Sequence, residues 1–510
     1  MKINEKTNSK HTGKKGSPEK SLKVIRRILA AISILLITPL FLDFTGTWQA
    51  IFGWMAKIQF LPALLSLNVI IILALIIITL LLGRLYCSVI CPLGIMQDGF
   101  GWLGKKAKKN RYSYSAPKNI LRYIFLGIMV IAIVAGLNSM VALLAPYSAY
   151  GRIVSSILKP VYIWGNNILA SWAEQNNSYA FYQAEYWTNG YGVLVVAAVT
   201  LVALAILAWR NGRTYCNTIC PVGTVLGFFS RFSLFRIVLD KSKCVDCKLC
   251  SRNCKASCID IPNHEVDYSR CVTCFDCIGK CNKGALSYIY VGIKNSQKTS
   301  EPEKVDGSRR QFLSTAAILG TTAAVTAADK TVDGGLAAIE DKKIPERKTR
   351  IVPPGAISLR NLHTHCTSCQ LCVSACPNGV LRPMTDFENF MQPESSYERG
   401  YCRPECTRCS DVCPTGAIRP LDTSEKSSIQ IGHAVWVKAN CVPVTDGVEC
   451  GNCARHCPTG AITMVESESG LKIPAVNTER CIGCGACENL CPARPFSAIY
   501  VEGHENHRII

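Results

Sequence analysis

The sequence predicts a multi-domain protein: a four-helix α transmembrane domain joined to α+β ferredoxin-like 4Fe-4S modules. Three observations predict it. Four apolar stretches, at 24–42, 60–82, 120–145 and 191–209, approach the ~20 residues that a helix needs to span a bilayer. Most of the 29 cysteines fall into six quartets with ferredoxin-like spacing. The length of 510 residues exceeds what one hydrophobic core supports, since such cores stop growing near about 250–300 residues.

Taken in order, residues 1–20 form a basic cytoplasmic tail. The formal charge is +20, and much of it sits in this tail and in the segment Lys105, Lys106, Lys108, Lys109 and Arg111. Both clusters abut apolar runs, the positive-inside pattern of a membrane protein. A nucleic-acid partner is not expected, because it would require the charge on a folded domain interleaved with aromatics. Residues 21–235 are the expected four-span membrane domain. With the tail inside, four spans return the chain to the cytoplasm near Arg210. The segments 43–59 and 146–190 then become outer loops, and Tyr162, Trp164, Trp172, Tyr186 and Trp187 suit an interface there.

This domain carries an internal repeat, RLYCSVICPLG from Arg84 and RTYCNTICPVG from Arg213. Each copy closes an apolar stretch on the cytoplasmic side. If the segment stays helical, cysteines at i and i+4 share a face. Pseudo-symmetry between the two hairpins would then gather Cys87, Cys91, Cys216 and Cys220. A redox or quinol-proximal role is expected for them. The alternative is packing of small buried thiols.

A cytoplasmic two-cluster ferredoxin is expected over 236–290. CVDCKLCSRNC from Cys244 and CVTCFDCIGKC from Cys271 both read C-x2-C-x2-C-x3-C. In such pairs three thiolates hold one cube and the fourth reaches the other. The cubes are therefore Cys244, Cys247, Cys250 with Cys281, and Cys271, Cys274, Cys277 with Cys254. Structural zinc sites favour C-x2-C pairs over such triplets. Cys258, four residues beyond Cys254, reads as a small buried hydrophobe rather than a ligand.

After a linker over 291–307, the segment GSRRQFLSTAAILG opens an apolar, small-residue run. Residues 308–330 are expected to be an internal twin-arginine export signal acting as an uncut fifth membrane segment. A second linker covers 331–350 and a four-cluster polyferredoxin covers 351–510. Its quartets all end in Cys-Pro, and crossing the fourth ligands gives four cubes. The first two are Cys366, Cys369, Cys372 with Cys413, and Cys402, Cys406, Cys409 with Cys376. The other two are Cys441, Cys450, Cys453 with Cys491, and Cys481, Cys484, Cys487 with Cys457. His363 and His365 read as solvated, and the absence of C-x-x-C-H excludes covalent haem. There is no Gly-rich nucleotide loop and no catalytic constellation of Ser, His or carboxylates, so no catalytic residue is assigned.

On these motifs, residues 20–290 resemble NapH-type membrane iron–sulfur proteins, and residues 307–510 resemble periplasmic NapG-type polyferredoxins. The chain looks like a natural fusion of the two. The resemblance implies a protein of the inner membrane with six 4Fe-4S clusters, two inside and four in the periplasm. It implies electrons taken from the quinol pool and passed to a periplasmic reductase or cytochrome c. Two rivals are a ferredoxin–quinone oxidoreductase with every cluster in the cytoplasm and a reductive maturation factor for another metalloenzyme. Nothing in the sequence names a carrier joining clusters on the two sides.

Overall fold

The computed structural model describes residues 18–107, 112–178, 180–185, 190–292, 332–333, 337–338, 341–386, 388–468 and 470–510. The expected export signal at 308–330 lies outside the described residues.

Among the described residues, two helices are long and apolar enough to cross a membrane, Ser21–Leu42 and Tyr191–Asn211. A third is added if Asn138–Leu144 and Pro146–Gln175, bent by 78° at their junction, act as one span. The stretch 60–82, expected to be a single span, is two helices, Phe60–Leu65 and Val69–Leu82. Leu67 takes a left-handed φ of 53° at the break, and the Asn68 side chain accepts from Ile71 N to start the second helix. The stretch 120–145 is likewise divided into Asn119–Val134 and Asn138–Leu144, with Gly136 at φ 73° between them. The expected outer loop at 146–190 is mostly helix: Pro146–Ile153, a π-helical turn Val154–Leu158, and Lys159–Gln175.

The repeat forms two similar corners. A short helix, Tyr86–Val89 or Thr214–Thr218, ends just before the second cysteine. Cys91 and Cys220 then stand in extended conformation before the helices Pro92–Lys106 and Pro221–Ser230. Proline suits this first helical position because its φ is preset and it has no N–H to leave unpaired. The two cysteines of a copy therefore do not share one helix face, as the i, i+4 argument assumed.

Both ferredoxin regions are short antiparallel ladders around cysteine turns. In the first, Phe235–Leu239 pairs with Leu286–Tyr290. In the second, Ile429–Trp436 pairs with Ile499–Ile509, and Ile462–Glu466 with Lys472–Val476.

The two regions dock at opposite ends of the first helix, Pro18–Leu42. Near its start, Lys23 pairs with Asp276 at 2.8 Å, and Thr273 Oγ1 donates to the Leu82 carbonyl. Near its end, Gly151 lies between the Phe41 ring and the Cys369 carbonyl. Lys159 Nζ donates to the Ser374 carbonyl at 2.8 Å, and Arg408 donates to the Phe44 carbonyl at 3.3 Å. At 1.5 Å per residue, the helix separates these docking sites by about 27 Å. One continuous buried cluster runs between them, from Val272 and Cys274 through Leu93 and Leu226 to Tyr147 and Cys369.

Candidate iron–sulfur sites

None of the 29 cysteines is in a disulfide. In each ideally spaced triplet the residues flanking the middle cysteine adopt left-handed backbone conformations. They are Asp246 and Lys248, Thr273 and Phe275, Ser368 and Gln370, and Gly483 and Gly485. Six of these eight carry side chains, for which this region is disfavoured. Alternating handedness turns successive N–H groups toward one point and forms the concave anion nest common at iron–sulfur sites. The same fit extends to N–H···S contacts: Ser368 N donates to Cys366, Ala285 N to Cys281, Ile418 N to Cys413, and Ala498 N to Cys491. Such a cradle suits thiolates that hold a metal centre, and the C-x2-C-x2-C triplet is the cluster arrangement.

The structure brings the crossed quartets together. One cavity is lined by Cys366, Cys369, Cys372 and Cys413, and another by Cys376, Cys402, Cys406 and Cys409. A third holds Cys457, Cys481, Cys484 and Cys487. Cys441, Cys450, Cys453 and Cys491 lie within electrostatic reach of one another. The same holds for Cys250 with Cys244 and Cys281, where Cys247 is exposed. Burial pushes the Cys274 and Cys369 thiols up to about 12, so these thiols stay protonated until metal displaces the proton.

The second cytoplasmic site holds five cysteines rather than four. Its cavity is lined by Cys254, Cys258, Cys271, Cys274 and Cys277. Cys258 Sγ lies 3.5 Å from Cys254 Sγ, and hydrogen bonding from Cys258 brings the Cys254 thiol down to about 7. Cys254 and Cys258 are thus hydrogen-bonded partners within one site. Sequence reasoning placed Cys258 as buried packing, and its contact with a ligand was not visible there.

The four cysteines of the repeat also meet. Each lies within electrostatic reach of the other three, and all are buried. The arginines that open the two copies exchange partners: Arg84 donates to the Cys216 carbonyl at 3.2 Å, and Arg213 to the Cys87 carbonyl at 2.6 Å. Gly94 and Gly223 leave room for this, since a Cβ at either would strike a cysteine carbonyl and the opposing guanidinium. Gln97 Nε2 donates to Cys216 Sγ at 3.3 Å, and Gly223 N to Cys220 Sγ at 3.4 Å.

Asp98 was not singled out by sequence reasoning. Its carboxylate meets Arg213 Nε at 2.8 Å, Arg26 Nη1 at 2.9 Å and Lys255 Nζ at 2.8 Å. Burial alone would raise this carboxyl, but Arg213 and Lys255 hold it well below the usual range. It ties the first helix, the second repeat copy and the first ferredoxin module to one point. The available signal was its isolation as the one acidic residue between Asp43 and Glu174.

Comparison with known proteins agrees with this geometry. A family profile described as "4Fe-4S binding domain" matches residues 66–111 and 192–240, and one described as "4Fe-4S dicluster domain" matches 365–432 and 448–494. An uncharacterized protein of Methanocaldococcus jannaschii is 39% identical over 103 residues, covering 20% of this chain and 41% of that protein. The ferredoxin-type protein NapF of Escherichia coli is 31% identical over 162 residues, covering 30% of this chain and 87% of NapF. The chain belongs to the ferredoxin-type family. The ferredoxin-type protein NapH of Escherichia coli is 25% identical over 212 residues, 40% of this chain and 61% of NapH. The chain therefore spans only part of several relatives it matches, from 41% of the methanogen protein to 61% of NapH. No solved structure matches the chain. It is an iron–sulfur electron-transfer protein related to the ferredoxin-type proteins, and its apolar helices are compatible with membrane association.

Proposed function

We propose that this ferredoxin-type protein is a natural fusion of a NapH-type membrane ferredoxin with a NapG-type exported polyferredoxin. It oxidises quinol in the inner membrane and delivers the electrons to a periplasmic reductase or a cytochrome c. The observation that carries this reading is the docking of the two ferredoxin modules at opposite ends of a helix long enough to cross a bilayer. A protein with every cluster in the cytoplasm has no use for that separation. Bound clusters supply one-electron carriers whose potentials follow hydrogen bonding and burial, which suits a two-electron donor oxidised in single steps. The chain contributes the cradles, the N–H···S donors and a dry path between the modules. Arg152 belongs to that path: it is fully buried, donates to the Ala142 carbonyl, and lies within electrostatic reach of Cys369 and Tyr215.

Two measurements test the reading. A C-terminal tag on spheroplasts should be accessible to protease in the wild type and protected when Arg309 and Arg310 are both changed to Lys. Protection in both favours the cytoplasmic ferredoxin–quinone rival. In membranes, a quinol analogue should bleach the cluster absorbance toward the level reached with dithionite. Bleaching by dithionite alone would leave the maturation reading and remove quinol as donor.

A further inference from the structure

Six quartets use 24 of the 29 cysteines, and Cys258 attends one of them. The remaining four meet where the two repeat copies face each other in the helical domain. Each is no more than 5% exposed, and none is in a disulfide. We propose that Cys87, Cys91, Cys216 and Cys220 jointly ligate one further iron–sulfur cluster, inside the helical domain between the two ferredoxin modules.

Four independent features point to it. The first is charge. Arg84 is 0% exposed, yet among the described residues no carboxylate lies within ion-pair distance of it. Its donors go to Asn217 Oδ1, the Ser269 and Cys216 carbonyls, and Cys87 Sγ at 3.8 Å. A buried guanidinium without an anion is costly. Arg213, whose Nε is already paired with Asp98, turns its Nη1 to within 3.9 Å of Cys216 Sγ. A thiolate-ligated cluster places negative charge where both guanidinium groups converge.

The second is spacing. A single zinc ion on four thiolates requires sulfurs about 3.8 Å apart. Among the described residues only Cys244, Asp246 and His264 bring three ligand atoms within 4.8 Å of one another. No three of the repeat cysteines do so, although each is within electrostatic reach of the others. The six quartets share this wider spacing, which leaves room for a cluster rather than an ion.

The third is donor chemistry. Gly223 N and Gln97 Nε2 donate to Cys220 and Cys216, as backbone N–H groups do in the quartets. The fourth is the family match. The profile described as "4Fe-4S binding domain" falls on 66–111 and 192–240, and each part contains only two cysteines. Neither part reaches the quartets that begin at Cys244, so four ligands are available only if the halves share them. The place also has a use. Cys87, Cys91 and Cys220 belong to the same buried cluster as Cys274 of the first module and Cys369 of the second. A carrier here supplies the connection that the sequence left unnamed.

The inference rests on the electron-transfer reading, and its failure can be told apart from the failure of that reading. Anaerobically purified wild type should contain about 28 irons and as many labile sulfides per chain, four per cluster. Changing Cys87, Cys91, Cys216 and Cys220 together to Ser should lower both to about 24 and remove one reduced-cluster component from the EPR spectrum. Equal iron in the two proteins overturns the inference alone, whereas zinc, or iron near eight, overturns the wider reading. If the variant does not accumulate, the density map of the wild-type particle decides. Cluster-sized density bonded to all four sulfurs upholds the proposal; free thiols, a disulfide or a single ion refute it.

Discussion

Changing Asp98 to Asn keeps the shape of the side chain and removes the charge on which three cations converge. Arg213 is 1% exposed, Arg26 5% and Lys255 9%. Lys255 retains Asp276 at 3.2 Å, but among the described residues neither arginine has a second carboxylate. Removing one partner of a buried ion pair costs about 3–5 kcal/mol, because the remaining charge is left uncompensated. The chain is multi-domain, so a single melting temperature would not isolate that cost. Hydrogen exchange reads it locally. Amides of Pro92–Lys106 and of the Cys216–Cys220 corner should exchange roughly 150- to 5,000-fold faster in the variant, the same free energy expressed as an opening constant. Asp240→Asn is the control, since its pair with Lys243 is exposed to solvent and should leave exchange unchanged. Wild-type exchange in Asp98→Asn would mean that the Asp98 carboxylate does not hold this junction, and the account of it would be wrong.

Two further outcomes follow from the cysteine and histidine environments. Cys254→Ser should lower iron by about four per chain, whereas Cys258→Ser should leave the count unchanged and shift only the potential of the adjacent cluster; iron assay with redox titration checks both, and the reverse pattern would exchange the two roles. Burial, aided by the charge of His504, lowers His507 to about 4. Its folded value lies below the unfolded ~6.5, so the unfolded state binds the extra proton first and stability falls as pH drops through that window. From pH 7 to pH 5 the C-terminal module should lose about 2 kcal/mol in denaturant titrations, and His507→Gln should remove most of that dependence.

Four of the six cluster quartets were legible because their chemistry is local: three cysteines within seven residues fix the turn, and the left-handed residues between them follow from it. The pairing of the two repeat copies was legible as a symmetry but not as a geometry. Cys91 and Cys220 leave the helix before their prolines, so their approach depends on Arg84 and Arg213 reaching across, which is a tertiary matter. The spans were less legible. FLPALLSLNVIIILALIIITLLLG reads as continuous because every residue in it tolerates an apolar setting, yet Leu67 and Asn68 break it by backbone conformation and capping. The segment 146–190 reads as an outer loop because it falls between two expected spans. It is helical, and where it meets the second ferredoxin module the Ser374 carbonyl receives the Lys159 ammonium.

The exchange of Arg84 and Arg213 across the repeat has a consequence for how the helical domain can be taken apart. Each copy donates its guanidinium to the carbonyl of the other copy's first cysteine, and each carries a glycine that admits the incoming group. Neither copy is therefore a self-sufficient unit. Expressed alone, each half would bury an arginine with no acceptor and leave two thiols facing a gap. Transplanted beside a foreign partner, each would need that partner to offer the same carbonyl and the same glycine. The halves look like duplicates on the page, but they fold as one lock whose two bolts are fastened from opposite sides.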